Sequence, residues 1–85
     1  MMVSIAVEIM LNRGWIYDDE GNEIGETNFV VTNKYLQSIF NEYYADKYLS
    51  ISDFLLTYTP EIEGQEIYSR ALADGEVIED KSTLY

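Results

Sequence analysis

From residue 3 to residue 11, apolar side chains recur at every second position: Val3, Ile5, Val7, Ile9 and Leu11. A period of two suits a half-buried strand, and β-branched residues suit a pleated surface. The same stretch carries opposing signals. Ser4 is placed to cap a helix, Met10-Leu11 favours helix, and Gly14 follows Arg13 where a C-cap glycine would stand. Both forms remain open for residues 3–13, and helix is the reading adopted.

Residues 15–32 predict a β-hairpin. Trp15-Ile16-Tyr17 is a short aromatic and β-branched run, and Asn28-Phe29-Val30-Val31-Thr32 is a second strand. Between them, Asp18-Asp19-Glu20-Gly21-Asn22 has turn chemistry, with Gly21 and Asn22 suited to positive φ. Gly25 is the expected bulge.

The period then changes. Leu36, Ile39, Phe40 and Tyr43 share one face of a helix over 34–46, with Asn33 as its N-cap. Lys47 would fall on that apolar face, so the helix ends before it. Ser52-Asp53 caps a short helix through Phe54, Leu55 and Leu56. Thr59-Pro60 starts another, which Gly64 interrupts. A last helix runs from Gln65 to Ala73 with Ile67, Ala71 and Leu72 inward, Glu66 and Arg70 paired one turn apart, and Gly75 as C-cap. Val77-Ile78 adds an edge strand, and the tail frays from about residue 79. The sum is an α+β fold: one domain over residues 1–85, with about three helices packed on a small antiparallel hairpin or sheet.

Composition narrows what such a domain does. With 85 residues there is room for one core, and a chain this short is marginally stable. The absence of cysteine and histidine removes disulfides, cysteine-based zinc sites and the commonest general base. The N-terminal stretch is short, lacks a basic start and contains Glu8 and Arg13, which argues against a signal peptide or membrane span. A cytoplasmic setting, or a host cytoplasm for a phage-encoded chain, is expected.

Charge is the strongest signal. Sixteen acids face five bases, for a net charge of −11. Ordinary nucleic-acid binding is disfavoured, because no basic stripe exists and phosphates would be repelled. A globule of this length has a radius of gyration of about 12 Å and a diameter of about 30 Å. Duplex DNA of that length carries roughly 18 charges, the order of the carboxylate count here. The acids gather in three stretches: Asp18, Asp19, Glu20, Glu23 and Glu26 near the hairpin turn, Glu42 and Asp46 one helical turn apart, and Glu61, Glu63 and Glu66 where the last helix begins. An EF-hand loop begun at Asp18 fails, because Glu23 stands where its glycine belongs and Phe29 where its bidentate glutamate belongs. No cofactor or metal is expected, and no pair of carboxylates stands in a catalytic setting.

Tyrosine is the second anomaly, with eight in the chain. Tyr17 and Tyr35 beside these acids offer a surface that grips arginine and lysine through ion pairs and cation–π contacts. In size and composition the whole chain resembles the small acidic inhibitors of phages and mobile elements, such as the anti-CRISPR and uracil-DNA glycosylase inhibitor groups. That resemblance implies a cysteine-poor acidic protein that occupies a DNA-binding cleft, and it carries over no residue. The expected function is binding, not catalysis. The partner is the basic cleft of a nuclease or other nucleic-acid enzyme, met by the twelve residues Tyr17, Asp18, Asp19, Glu20, Glu23, Glu26, Tyr35, Glu42, Asp46, Glu61, Glu63 and Glu66. The alternative is a non-mimic interaction module, or a homodimer built on the helix 34–46 face.

Overall fold

Two ten-residue strands form a long antiparallel hairpin on which the rest of the chain packs. In a computed structural model that describes residues 7–85, these are β1 (Glu8–Tyr17) and β2 (Glu23–Thr32). Helix α1 (Asn33–Ile39) follows and runs into a π-helical turn (Phe40–Tyr44). Then come α2 (Ile51–Thr57), a second π-helical turn (Pro60–Gly64) and α3 (Gln65–Asp74). Two short strands, β3 (Glu79–Asp80) and β4 (Thr83–Leu84), close the chain. β2 is central, flanked by β1 on one side and by β3 and β4 on the other, and all three pairings are antiparallel. This is a small α+β fold. Among the described residues, no helix is long and apolar enough to cross a membrane.

The helix adopted for residues 3–13 is overturned from Glu8 onward, where the period of two prevails; residues 3–6 lie outside the described residues. Ile9 and Leu11 stand opposite Val31 and Phe29 and share the inner face with them. Gly14 is no helix cap. It sits at φ +135 just after a bulge in β1, a conformation that side chains rarely adopt. Gly25 is paired with Ile16, and the unpaired residue is its neighbour Ile24. In the turn, Gly21 alone takes positive φ.

One core lies between the inner sheet face and the helices. Leu11, Phe29 and Val31 meet Leu36, Ile39, Phe40, Tyr44, Phe54, Ile67 and Ala71. Each large side chain so buried contributes about 1.5–3 kcal/mol. Phe54 is the hub: Tyr44 and Tyr58 stack on it at 5.1 and 5.2 Å, and Tyr48 meets it edge-on at 5.0 Å. Tyr43, expected inside, is exposed, and Tyr44 takes its place. The π turn explains the exchange. At 100° per residue Tyr43 would stay on the Leu36–Phe40 stripe, but at roughly 80° per residue Tyr44 comes round instead.

Several boundaries differ from expectation by a residue or two. Thr32, not Asn33, caps α1 by accepting from the Tyr35 N–H. Ser50, not Ser52, caps α2 through the Asp53 N–H. Gly64 does not interrupt its helix. It lies where the second π turn crosses β1, so close that a Cβ there would overlap the Asn12 carbonyl. Leu72 faces solvent, whereas Gly75 caps α3 as expected, and the following Glu76 N–H reaches back to the Ala71 carbonyl. Val77 and Ile78 precede the edge strand rather than form it, and the tail expected to fray from residue 79 lies along β2 as β3 and β4. The radius of gyration is 14.2 Å and the extents are 53 × 33 × 23 Å, longer than the expected sphere.

Candidate partner-binding surface

β1 and β2 have an inner face against the helices and, among the described residues, an outer face without them. Which residues go where is decided by two bulges. Pairing passes from Asn12↔Asn28 to Gly14↔Thr27, leaving Arg13 as an extra residue in β1. Without that extra residue Trp15 and Tyr17 would share the parity of Leu11 and turn inward; with it they turn outward. The second shift leaves Ile24 extra in β2 and keeps Glu23 opposite Tyr17. The outer face therefore carries cross-strand rows: Met10, Val30 and Glu79; Asn12 and Asn28; Trp15, Glu26 and Thr83; Tyr17 and Glu23.

Short polar contacts tie this face together. Asn12 donates to Asn28 at 2.8 Å, and Asn28 donates to Glu26 at 3.1 Å. The Tyr85 hydroxyl donates to Glu23 at 2.7 Å while its N–H is held by the Ile24 carbonyl, which fixes a second exposed tyrosine near Tyr17. That bond to Glu23 pushes the Tyr85 hydroxyl up to about 12. Beside β3 and β4 the face deepens into an open groove of about 580 Å³, bordered by Met10, Glu26, Asn28, Glu79, Lys81 and Thr83 among others.

At the hairpin end, Asp18 is bound within its own turn. Its carboxylate accepts from the N–H groups of Asn22 at 2.8 Å and Glu20 at 2.9 Å, and it is held below the usual range chiefly by Asn22. Asp19, Glu20 and Glu23 point to solvent. Among the described residues, no group of three or more acidic side chains is gathered closely enough to hold a metal ion.

The other predicted site residues lie elsewhere. Glu42 and Asp46 are exposed at and just after the first π turn, in the helical layer. Glu61 is exposed on the second π turn, where its Cγ comes near Gly14. Tyr35 is half-buried and donates to Asp74 at 2.8 Å, and Glu66 accepts from Tyr44 at 2.8 Å. Glu63 is removed from any docking surface: it is buried and accepts from Thr59 N–H, Tyr48 and Lys47. The structure thus joins Tyr17 with the acids from 18 to 26, and adds Trp15, Glu79 and Tyr85, which the sequence reading missed. For Trp15 the available signal was Gly14, which marks the bulge.

The bases are largely occupied. Arg13 lies over the Tyr68 ring at 3.9 Å with Asp80 at 3.6 Å, and Arg70 lies over Tyr43 at 3.7 Å, not paired with Glu66 as expected. Lys47 holds Glu63 at 3.1 Å and Lys81 holds Glu79 at 3.7 Å. Asp80 is held low: burial alone would raise it, but the bonds from Ser82 and Tyr68 and the Arg13 charge outweigh burial.

No family model matches the sequence, and no curated protein or solved structure matches this chain.

Proposed function

We propose that this protein binds a basic protein surface, such as the nucleic-acid cleft of a nuclease or other nucleic-acid enzyme, by offering carboxylates where phosphates would sit. One observation carries the reading: four of the five bases are engaged by the chain's own tyrosines and acids, while acids of the hairpin turn face solvent. Arg13, Arg70, Lys47 and Lys81 are all drawn into contacts with the chain's own tyrosines and acids. Asp19, Glu20 and Glu23 at the hairpin end are exposed, beside the exposed aromatics Tyr17 and Tyr85. A surface of that kind attracts arginine and lysine from a distance and then packs against their stems.

The test is retention on the immobilised protein. Proteins retained at low ionic strength should be released both by added salt and by added duplex DNA, since phosphates compete for the same cations. Retention indifferent to both rejects the reading.

A second reading, apolar docking without mimicry, is favoured by Leu49, just before α2, and Leu56, within it, which are 98% and 83% exposed. It does not run through the helix 34–46 face, because Leu36, Ile39 and Phe40 are already spent on the protein's own core. Retention that survives high salt and weakens in Leu49→Ser or Leu56→Ser would support it.

A further inference from the structure

We infer that the helix-free face of the sheet is a docking groove for an arginine-bearing extended segment of the basic partner, and that Lys81 occupies this groove in the free protein. The inference rests on the proposed function and narrows it to one face and one side-chain type.

The face has the makings of an interface. Among the described residues no helix packs on it, and although Val30 and Asn28 are buried there, Met10 is 57% exposed. Trp15 and Tyr17 stand in the same rows as Glu26 and Glu23. The groove of about 580 Å³ is open to solvent and bordered by residues 79–83 along the sheet edge, so a segment can lie against it rather than a single group entering a closed hole. Charge decides the occupant. A second copy would bring −11 against −11, whereas a cationic segment meets Glu26 and Glu79.

Arginine fits better than lysine. Its planar guanidinium forks onto carboxylates such as Glu26 and Glu79, which an ammonium cannot do, and can lie flat on the ring of Trp15, which stands in the Glu26 row beside the groove. The chain already holds Arg13 in this manner, between the Tyr68 ring and Asp80. Lys81 borders the groove with its ammonium 3.7 Å from Glu79, and both side chains are about half exposed. An ion pair so open to water is weak, so an incoming guanidinium displaces it readily.

The experiment uses the full chain with dye-labelled arginine and lysine homopeptides of equal length. Binding is read by anisotropy and by the fluorescence of the sole tryptophan, Trp15. The arginine peptide should bind more tightly than the lysine peptide and change Trp15 emission. Lys81→Met should tighten binding about threefold, the worth of one exposed ion pair. Lys34→Met makes the same charge change away from the groove and should tighten binding less. Glu26→Gln and Glu79→Gln should weaken binding more than Asp53→Asn, which removes the same charge from α2. If Lys81→Met leaves affinity unchanged or lowers it, or if the three acid variants behave alike, the groove assignment is overturned while salt-sensitive binding still stands. If neither peptide binds in a salt-sensitive way, the proposed function itself fails.

Discussion

The hydroxyl of Tyr48 donates to the carboxylate of Glu63 across 2.6 Å, and that carboxylate belongs to a residue only 3% exposed. Its other oxygen accepts the Thr59 N–H at 3.0 Å, and Lys47 approaches at 3.1 Å. Glu63 thus joins the start of the second π turn to the segment after the first. Glu63→Ala would strand the Thr59 N–H and the Tyr48 hydroxyl, at about 2–4 kcal/mol. Against the roughly 4–13 kcal/mol expected for a chain of this length, that is a large fraction. Burial alone would raise this carboxyl, but Thr59, Tyr48 and Lys47 outweigh it and hold it below its ordinary 4.5. The stabilisation is therefore complete above pH 4.5 and is lost as pH falls through the lowered value. Urea midpoints should show Glu63→Gln less stable than the native chain at neutral pH, with the gap closing in acid. A gap that stays constant with pH would mean the charge on Glu63 contributes nothing.

The alkaline limb has the opposite origin. Bonds to carboxylates and burial raise the hydroxyls of Tyr48 and Tyr85, each to about 12. Tyr35, Tyr44 and Tyr58 are raised chiefly by burial, and Tyr68 chiefly by its bond to Asp80. In each case the fold prefers the neutral phenol. That stabilisation is full below the ordinary 10.0 and is lost as pH rises through the raised values. Phenolate absorbance should consequently lag behind that of free tyrosine and then rise together with loss of circular dichroism. Most phenols ionising near pH 10 in a chain that stays folded would contradict the hydrogen bonds from Tyr44, Tyr48 and Tyr68.

Glu63 also shows where the sequence was readable and where it was not. The hairpin, the Leu36–Phe40 stripe and the Gly75 cap rest on local signals, and local signals carried them. Residues 8–13 carried two local signals of similar strength, and β2 decided between them by offering Phe29 and Val31 as partners. Glu63 looked like one more surface acid because a capping glutamate is sought three residues after the cap. The π turn adds one residue, so the carboxylate that reaches back to Thr59 comes four residues on. Tail pairing depends on Gly25 leaving space for the Thr83 carbonyl, a long-range fit that no local pattern announces.

Gly64 sets helix propensity against close contact. Its backbone is helical, at φ −60 and ψ −43, so alanine there would gain about 1 kcal/mol in propensity. The new Cβ would overlap the Asn12 carbonyl and lie 3.2 Å from the Arg13 Cα, both backbone atoms that cannot swing aside. Overpacking of that kind costs about 1–3 kcal/mol or more, and it also pushes on the Asn12 N–H that donates to Tyr58 at 2.9 Å. Gly64→Ala should therefore lower the urea midpoint, despite being a favourable helix substitution. A raised midpoint would show that the second π turn does not press on β1.

Ionic strength should act with opposite signs on folding and on binding. Binding to a cationic partner weakens with salt because the attraction is screened. Folding should strengthen, because the acids repel one another and the few ion pairs offset little of that repulsion. Of the three pairs among the described residues, Arg13–Asp80 and Lys81–Glu79 are long at 3.6 and 3.7 Å, so screening them sacrifices little. Glu42→Lys with Asp46→Lys relieves the same repulsion by reversing two exposed charges in the helical layer. That double variant should melt higher than the native chain at low salt, by about 4–8 °C for each kcal/mol gained, and the difference should shrink as salt rises. A native chain whose melting temperature falls with added salt would mean that its ion pairs outweigh its self-repulsion, and that the excess of acids does not strain the fold.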